Sequence, residues 1–150
     1  MFLNQTSLYA LRAMSGMAQL EIGASIRAKE LASLTGVPSH YLSKIMRKMV
    51  EAGFVAAQRG HGGGFALIVD PCKLRFIDVL VAVGYDPKQL GCAFGWAKCR
   101  DEKPCPMHPL WKQIKDCFNE WVVRSTFGDI RVAGMEAFDE QMAAAPGGRL

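Results

Sequence analysis

Four glycines fall within five residues, at Gly60 and at residues 62–64, and they constrain the fold more than any other segment. Such a segment permits positive φ angles and a close approach of the backbone to another molecule. The flanking residues 54–57 and 65–69 have the composition of β-strands. A glycine-rich loop that binds phosphate precedes a helix instead. The pattern therefore predicts a β-hairpin and argues against nucleotide binding.

Three helical segments precede this hairpin. Apolar residues recur at helical spacing over residues 6–22, and a second, short helix fits residues 28–34. A third helix is predicted from 39 to 52, directly after Pro38, which suits the start of a helix because its missing N–H costs nothing there. Two short helices joined by a tight turn that contains Gly36 form a helix-turn-helix, and a β-hairpin directly after it is a wing.

The third helix has an apolar face and a polar face. Taken alone it is better explained as an ordinary amphipathic helix, but the wing beside it shifts the interpretation. In a helix-turn-helix the second helix enters the major groove, where polar side chains read base edges or neutralise phosphates. The tip of the wing would lie over a groove or the sugar–phosphate backbone. The predicted DNA-binding residues are Ser39, His40, Tyr41, Ser43, Lys44, Arg47, Lys48, Arg59 and His61.

The excess positive charge lies in the first half of the chain. The formal net charge is +4 at pH 7; residues 1–80 hold nine Lys and Arg against five Asp and Glu, whereas residues 81–150 hold nine of each. Charge concentrated in this way favours an anionic partner, nucleic acid first. The helix-turn-helix, the wing and the charge agree, and this agreement counts for more than any one of them.

Three of the five cysteines lie in one segment, at Cys92, Cys99 and Cys105, and His108 follows. Residues 85–109 show no clear periodicity, and loops of that length are uncommon in compact domains unless they are functional. The spacing C-x6-C-x5-C lacks the usual knuckle of structural zinc sites, although a Cys3His set suits zinc. Thiolates on a flexible loop equally suit an iron–sulfur cluster. A catalytic Cys105 with His108 as its base is a third possibility.

The predicted location is the cytoplasm. The N-terminus lacks the basic segment and cleavage site of a signal peptide. No apolar run approaches the roughly 18 residues of a membrane-spanning helix, so no membrane partner is predicted. Five cysteines are an odd number for a closed disulfide framework, and thiols stay reduced in the cytoplasm. Cys72 and Cys117 are predicted to be packing residues, and Trp96 a core or interface residue.

A helix predicted from residue 108 to about 126 carries a large apolar stripe. A stripe of this kind on one long helix favours packing against a second copy of the chain, although it could instead cover the winged domain of its own chain. A dimer is predicted because helix-turn-helix proteins commonly pair on two-fold DNA sites. Further helices are predicted at 74–83 and after residue 129. The predicted dimer interface consists of Leu110, Ile114, Phe118 and Trp121.

The order of helix-turn-helix, glycine wing, three-cysteine loop and long helix resembles the iron–sulfur winged-helix regulators of the Rrf2 family over nearly the whole chain. The most specific segments are YALRAM, YLSKIMRKMVEAGFV, RGHGGGFAL and the cysteine loop. The CPMHPLW segment resembles the IscR-like branch, in which three cysteines and a histidine hold a [2Fe–2S] cluster. The resemblance thus implies the metal ligands Cys92, Cys99, Cys105 and His108.

Other features of the resemblance bear on the cluster and the DNA site. In the NsrR-like branch an acidic residue near the partner's N-terminus completes a [4Fe–4S] cluster, and Leu8 stands where that residue would fall. The first cysteine gap is one residue longer than the C-x5-C of the IscR-like branch. Ser43 replaces a Glu by which some members discriminate between operators.

The sequence predicts a mainly helical chain with a small β-hairpin, divided into four parts. These are a winged helix-turn-helix domain at 1–84, a cysteine-rich cluster-binding loop at 85–109, a dimerisation helix and a C-terminal helix at 110–142, and a flexible tail at 143–150. The predicted function is a homodimeric transcription regulator, a repressor on a palindromic operator of double-stranded DNA, controlled by an iron–sulfur cluster, with [2Fe–2S] favoured over [4Fe–4S]. The alternatives are a winged-helix regulator with structural zinc or a cofactor-free thiol switch and, in another class, a small cysteine-dependent enzyme.

Overall fold

The computed structural model describes residues 2–96 and 99–132 of the chain. The predicted tail at 143–150, and the predicted C-terminal helix beyond residue 132, lie outside the described residues. The elements, in chain order, are α1 (Gln5–Ala18), β1 (Ser25–Ile26), α2 (Ala28–Thr35), α3 (Ser39–Glu51), β2 (Val55–Gln58), β3 (Gly64–Leu67), α4 (Phe76–Ala82), a 3-10 turn (Pro87–Gln89), α5 (His108–Arg124) and α6 (Phe127–Val132).

Helix α1 is the centre of the structure. Asn4 caps its N-terminus, where the side-chain oxygen accepts a hydrogen bond from the N–H of Ser7 at 2.9 Å. Its small and flexible apolar side chains are fully buried, and α1 contacts α2, α3, α4 and α6. Helix α1 ends before the predicted residue 22, because the following segment turns to the sheet, where the N–H of Gly23 donates to the Leu67 carbonyl at 2.9 Å.

The predicted helix-turn-helix is confirmed. Helix α2 ends at Gly36, whose φ of 65° lies in the left-handed region that favours glycine. Pro38 precedes the first residue of α3, as the sequence suggests. The apolar face of α3 is buried against α1 and α2, and its polar face is left exposed. The buried residues of this face are Leu42, Ile45, Met46 and Met49.

The wing is part of a three-stranded antiparallel sheet in the order β1-β3-β2. Strands β2 and β3 form the predicted hairpin, whereas the pairing of β1 with β3 is an addition to the predicted fold. Gly64 allows this addition, because a Cβ at this position would collide with the Ile26 carbonyl and its φ is 154°. The short β1 therefore lies directly against the base of the wing.

The C-terminal helices join the same core as the winged domain. Val122 of α5 and Phe127 of α6 are fully buried in one hydrophobic cluster with residues of α1 and α3. Arg131 of α6 pairs with Glu21 at 2.8 Å. Within the described residues, no helix is both long enough and apolar enough to cross a membrane.

Helix α6 begins at Phe127 and not after residue 129 as predicted. The carboxylate of Asp129 accepts hydrogen bonds from the N–H and hydroxyl of Thr126, at 2.7 and 2.9 Å. This arrangement resembles a capping box, in which an acidic residue in the first turn satisfies a free N–H of the residue before the helix. Asp129 therefore belongs to the first turn and does not mark the start of the helix.

Candidate functional site

The first half of α3 presents a row of polar side chains on the surface. Ser39, His40, Ser43 and Lys44 are exposed, and the hydroxyl of Ser43 donates to the Ser39 carbonyl at 3.0 Å. Because Leu42 and Ile45 face the core, helical periodicity directs these polar groups away from it. This part of α3 is free to approach another molecule without a change in the fold.

Three of the predicted DNA-binding residues contact residues outside the predicted DNA-binding set. Tyr41 is half-buried, with its ring edge-on to Tyr9 at a centroid distance of 5.2 Å. Arg47 pairs with Glu51 at 3.1 Å, and both side chains are exposed. Lys48 donates to the Val83 carbonyl at 3.4 Å.

These contacts differ in how far they leave Tyr41, Arg47 and Lys48 available to DNA. An exposed ion pair contributes little to stability, about 0–1 kcal/mol, so Arg47 can exchange its carboxylate partner for a phosphate at small cost. The ring of Tyr41 is held against α1, which leaves it less surface for contact with a base. The Lys48 ammonium lies towards α4, at the end of α3 away from the turn.

The tip of the wing is a tight turn that exposes the two remaining predicted residues. The N–H of Gly63 donates to the carbonyl of Gly60 at 3.0 Å and closes the turn. Arg59 and His61 are both exposed there, beyond the ends of β2 and β3. The wing tip thus carries one permanent positive charge and one imidazole that are available to a polyanion.

The four predicted metal ligands line one cleft. Cys92, Cys99, Cys105 and His108 border a cavity of about 160 Å³, with Arg100 and other polar and aromatic groups around them. All three cysteines are half-buried, and none of them forms a disulfide in the described structure. The ring N–H of Trp111 holds the loop against α5 by donating to the Gly91 carbonyl at 2.8 Å. The remaining residues that line this cleft are Trp96 and Lys103.

The thiol of Cys92 has the most distinctive environment in the cleft. Its pKa is lowered, chiefly by the backbone N–H of Phe94, which donates to the sulfur, and further by the N–H of Trp96. The positive charge of Lys115 acts in the same direction. Removal from water raises the pKa of Cys99, and its hydrogen bond with Cys92 raises it further. The loop therefore favours a thiolate at Cys92, and the thiolate is the form that binds metals.

His108 is the first residue of α5 and is buried, with 8% of its surface exposed. Its Nε2 lies 2.9 Å from Oδ1 of Asp101, whose carboxylate also lies 3.5 Å from the Lys112 ammonium. The hydrogen bond with His108 lowers the pKa of Asp101, and the charge of Lys112 lowers it further. An ionised carboxylate only accepts hydrogen bonds, so Nε2 is the donor in this contact, and Nδ1 is the ring nitrogen that remains for a metal.

Sequence reasoning did not identify Asp101 as part of the site. Acidic residues are common in exposed loops, and a spacing of seven residues from His108 corresponds to no local motif. The loop has to fold back onto the start of α5 before the two side chains can meet, and the sequence alone does not reveal this contact.

The donors in the cleft do not meet at one point, although the thiols of Cys92 and Cys99 are hydrogen-bonded to each other. Among the residues that the structure describes, no three His, Cys, Asp or Glu side chains lie close enough together to hold a single metal ion. A tetrahedral zinc site needs four ligands at about 2.0–2.3 Å from one point. The ligands of a [2Fe–2S] cluster are instead divided between two irons.

Helix α5 exposes most of the predicted interface. Leu110, Ile114 and Trp121 are 59%, 51% and 44% exposed. Phe118 is half-buried, because its ring stacks on that of Phe2 at a centroid distance of 4.7 Å. We call Leu110, Ile114 and Trp121 the apolar strip of α5.

The packing role predicted for Cys72 is wrong, whereas Cys117 and Trp96 are uncovered in the single chain and their role at an interface stays a prediction. Cys72 is exposed because it lies in the turn after Pro71, and only Pro71 of that pair is buried. Cys117 is exposed because it lies beside the apolar strip, on a face of α5 that the described chain leaves uncovered. Trp96 does not join the core: it is 68% exposed and stacks on Phe94 at 5.2 Å in the cysteine loop.

Comparisons with known proteins cover most of the chain. The model of the Rrf2 family, described as an iron-dependent transcriptional regulator, matches residues 3–132. The HTH-type transcriptional regulator IscR of Vibrio vulnificus is 26% identical over 130 residues, which are 87% of this chain and 77% of that protein.

Solved structures share the fold. The global cysteine regulator CymR of B. subtilis superposes with a TM-score of 0.72 at 20% identity, over 88% of this chain and 97% of that chain. The structure of T. potens IscR superposes with a TM-score of 0.66 at 21% identity, over 90% of this chain and 89% of that chain.

Proposed function

The chain belongs to the Rrf2 family and is a DNA-binding transcription regulator, not an enzyme, and on this premise we propose that it is a homodimer controlled by an iron–sulfur cluster. In this proposal Cys92, Cys99, Cys105 and His108 hold a [2Fe–2S] cluster. The protein acts as a repressor when two copies of α3 occupy a palindromic operator. The alternative of a cysteine-dependent enzyme is wrong, because the family consists of transcriptional regulators.

The observation that carries the proposal is the meeting of three thiols and one imidazole at a single cleft. Cysteine thiolates are the usual ligands of iron–sulfur clusters, and histidine replaces cysteine in some of them. The match to a family described as iron-dependent favours an iron centre over a single zinc ion. The backbone N–H groups that point at Cys92 would also hydrogen-bond to a coordinating sulfur, and such bonds tune the potential of a cluster.

Basic side chains around the cleft support the same interpretation. Arg100 and Lys103 line the cavity, and the charge of Lys115 acts on both Cys92 and Cys99. A cluster bound by three thiolates carries net negative charge, and net charge is one of the properties that set its potential. Neighbouring cations would offset that charge, so these side chains favour binding of the anionic group.

The polar side of α3 and the tip of the wing support operator binding. Ser39, His40, Ser43 and Lys44 are exposed on the part of α3 that enters the major groove in a helix-turn-helix protein. In the proposal Ser39, His40 and Ser43 contact base edges, while Lys44, Arg47 and Arg59 contact phosphates. Tyr41 and Lys48 position α3 through their contacts with Tyr9 and the Val83 carbonyl. In the proposal His61 lies beside Arg59 at the sugar–phosphate backbone of the DNA.

The apolar strip of α5 supports a dimer. Exposed apolar side chains in a row are a feature of protein–protein interaction sites. A two-fold dimer places two reading helices on successive major grooves, about 34–36 Å apart, only when its interface holds them at that spacing. In the proposal a second copy of α5 covers the strip together with Phe118.

The position of His108 links the cleft to that interface. His108 lines the cleft and is also the first residue of α5, whose C-terminal end is anchored in the core by Val122. When bound, the cluster supplies an oxidant-sensitive connection between the loop thiolates. A change in the conformation of the cysteine loop therefore acts on the N-terminal end of α5, next to Leu110 and Ile114. A shift of α5 would change the spacing of the two copies of α3.

Removing positive charge from α3 and the wing is expected to weaken DNA binding. The variants Lys44→Ala and Arg59→Ala should each raise Kd and lower the slope of log Kd against log salt concentration by about 1, because each removes one phosphate-neutralising charge. The measurement is Kd for one operator duplex, selected from a random library by the cluster-loaded protein, over a range of salt concentrations.

The variant Lys73→Ala is the matched control. It removes an exposed positive charge outside α3 and outside the tip of the wing, so the slope should stay within error of the wild-type value. Equal salt slopes for all three variants and the wild type would show that α3 and the wing do not form the DNA-binding surface.

A further inference from the structure

We propose that Asp101 is a positioning residue, which orients His108 so that Nδ1 of the imidazole faces the three thiols. This inference rests on the proposed function, because it assigns a role to a residue that contacts one of the proposed cluster ligands. Asp101 lies between Cys99 and Cys105 on the same loop and lines the neighbouring pocket together with His108 and Cys99. It does not line the cleft of the four ligands itself.

The first support is the geometry of the hydrogen bond. Oδ1 of Asp101 lies 2.9 Å from Nε2 of His108, which is an ordinary distance for an imidazole N–H bound to a carboxylate. With Nε2 engaged, Nδ1 is the ring nitrogen that has a lone pair to offer a metal. The same contact therefore fixes both the tautomer and the rotation of the ring.

The second support is the contrast in exposure between the two side chains. The His108 side chain is 9% exposed, whereas that of Asp101 is 75% exposed. Burying a polar imidazole costs free energy unless it is hydrogen-bonded. The exposed carboxylate reaches inward to satisfy the buried ring, and the Lys112 ammonium lies 3.5 Å from the same Oδ1 atom.

The general chemistry of metal sites gives this contact a function. A histidine that binds a metal usually donates its second N–H to a carboxylate or a carbonyl, which orients the ring and raises its basicity. Removing such a partner typically lowers metal affinity by about 10- to 100-fold. Asp101 has the position and the hydrogen bond that this role requires.

A purely structural role is the competing explanation. Asp101 lies near the N-terminus of α5, and a carboxylate in such a place stabilises a helix through its dipole, whether or not a metal is bound. Loss of that effect would lower the stability of the apo-protein. It would leave the bond between a histidine nitrogen and iron unchanged once the cluster is bound.

The test compares Asp101→Ala and Asp101→Asn with the control Glu102→Gln in full-length protein purified anaerobically. Glu102 is the adjacent exposed carboxylate, and within the described residues it makes no hydrogen bond to His108. Visible absorbance gives the rate of cluster loss to a chelator. Pulsed electron paramagnetic resonance of the reduced protein, labelled with ¹⁵N-histidine, reports the coupling between the ligating nitrogen and the cluster.

We expect Asp101→Ala to lose its cluster about 10- to 100-fold faster than the wild type and to show an altered nitrogen coupling. Asp101→Asn should fall between them, because an amide oxygen still accepts the N–H but carries no charge, and Glu102→Gln should match the wild type. If the wild type holds a cluster, and Asp101→Ala shows the same cluster lifetime and the same nitrogen coupling as the wild type, the inference about Asp101 is overturned while the proposed function stands. A wild type that binds no cluster would overturn the proposed function and the inference with it.

Discussion

Replacing Cys92, Cys99 or Cys105 by Ala is expected to abolish the coloured centre of the protein. Each substitution removes a bond to iron and also a negative charge that balances ferric iron, and a cluster tolerates neither loss well. Wild-type protein isolated without oxygen should contain about two iron and two sulfide ions per chain, as a [2Fe–2S] cluster requires. The measurements are visible absorbance together with iron and acid-labile sulfide per chain.

The two remaining cysteines and the histidine provide the controls. Cys72→Ala and Cys117→Ala should leave the absorption spectrum unchanged, because both side chains are exposed and neither lines the cleft. His108→Ala should weaken or alter the centre more mildly than loss of a thiolate, since water or a nearby group can fill one position. Protein with one zinc ion per chain, no iron and no visible absorbance after reconstitution would contradict the assignment.

Placing a charge on the apolar strip of α5 is expected to separate the dimer into monomers. Ile114 is 51% exposed in the single chain, so Ile114→Asp should fold normally. In a dimer that covers the strip, the same carboxylate would be buried without a partner, at a cost of several kcal/mol. Sedimentation at micromolar concentration should therefore show a dimer for the wild type and a monomer for the variant.

Val123 offers a matched control on the same helix. It is an apolar residue with 44% exposure, and nine residues beyond Ile114 the helical period places it on the opposite side of α5. Val123→Asp should remain dimeric. A wild type that sediments as a monomer, or a loss of the dimer in both variants alike, would remove the apolar strip as the interface.

The sequence predicts the winged helix-turn-helix part of the fold well because its signals are local. The apolar face of α3, the glycine that ends α2 and the proline before α3 each act within a few residues along the chain. The same holds for the hairpin, since β2 and β3 are joined by a short glycine-rich turn. Such signals can be read from the sequence because the residues that interact are close to each other along the chain.

The features that the sequence did not reveal depend on distant contacts. Strand β1 has only two residues, too few to show alternation, and it exists through its pairing with β3. The contact between Asp101 and His108 requires the loop to fold back onto α5. Cys117 was assigned to packing because its spacing fits the apolar face of α5, yet that face is uncovered in the single chain.

The cysteine loop lies between these two cases. Cys92, Cys99, Cys105 and His108 are grouped along the chain and line one cleft, and their role as metal ligands stays a prediction. The sequence by itself left zinc and an iron–sulfur cluster equally acceptable, because both bind the same residue types. Iron and acid-labile sulfide analysis distinguishes the two.

The most direct test of the account is the affinity for one selected operator duplex, measured without oxygen before and after removal of the cluster from the same preparation. Coupling between two sites in a regulatory protein typically changes affinity by about 5- to 150-fold. The account predicts a change in Kd within that range, with a dimeric protein in both states. Identical Kd values for cluster-loaded and cluster-free protein would contradict control of DNA binding by the cysteine cleft.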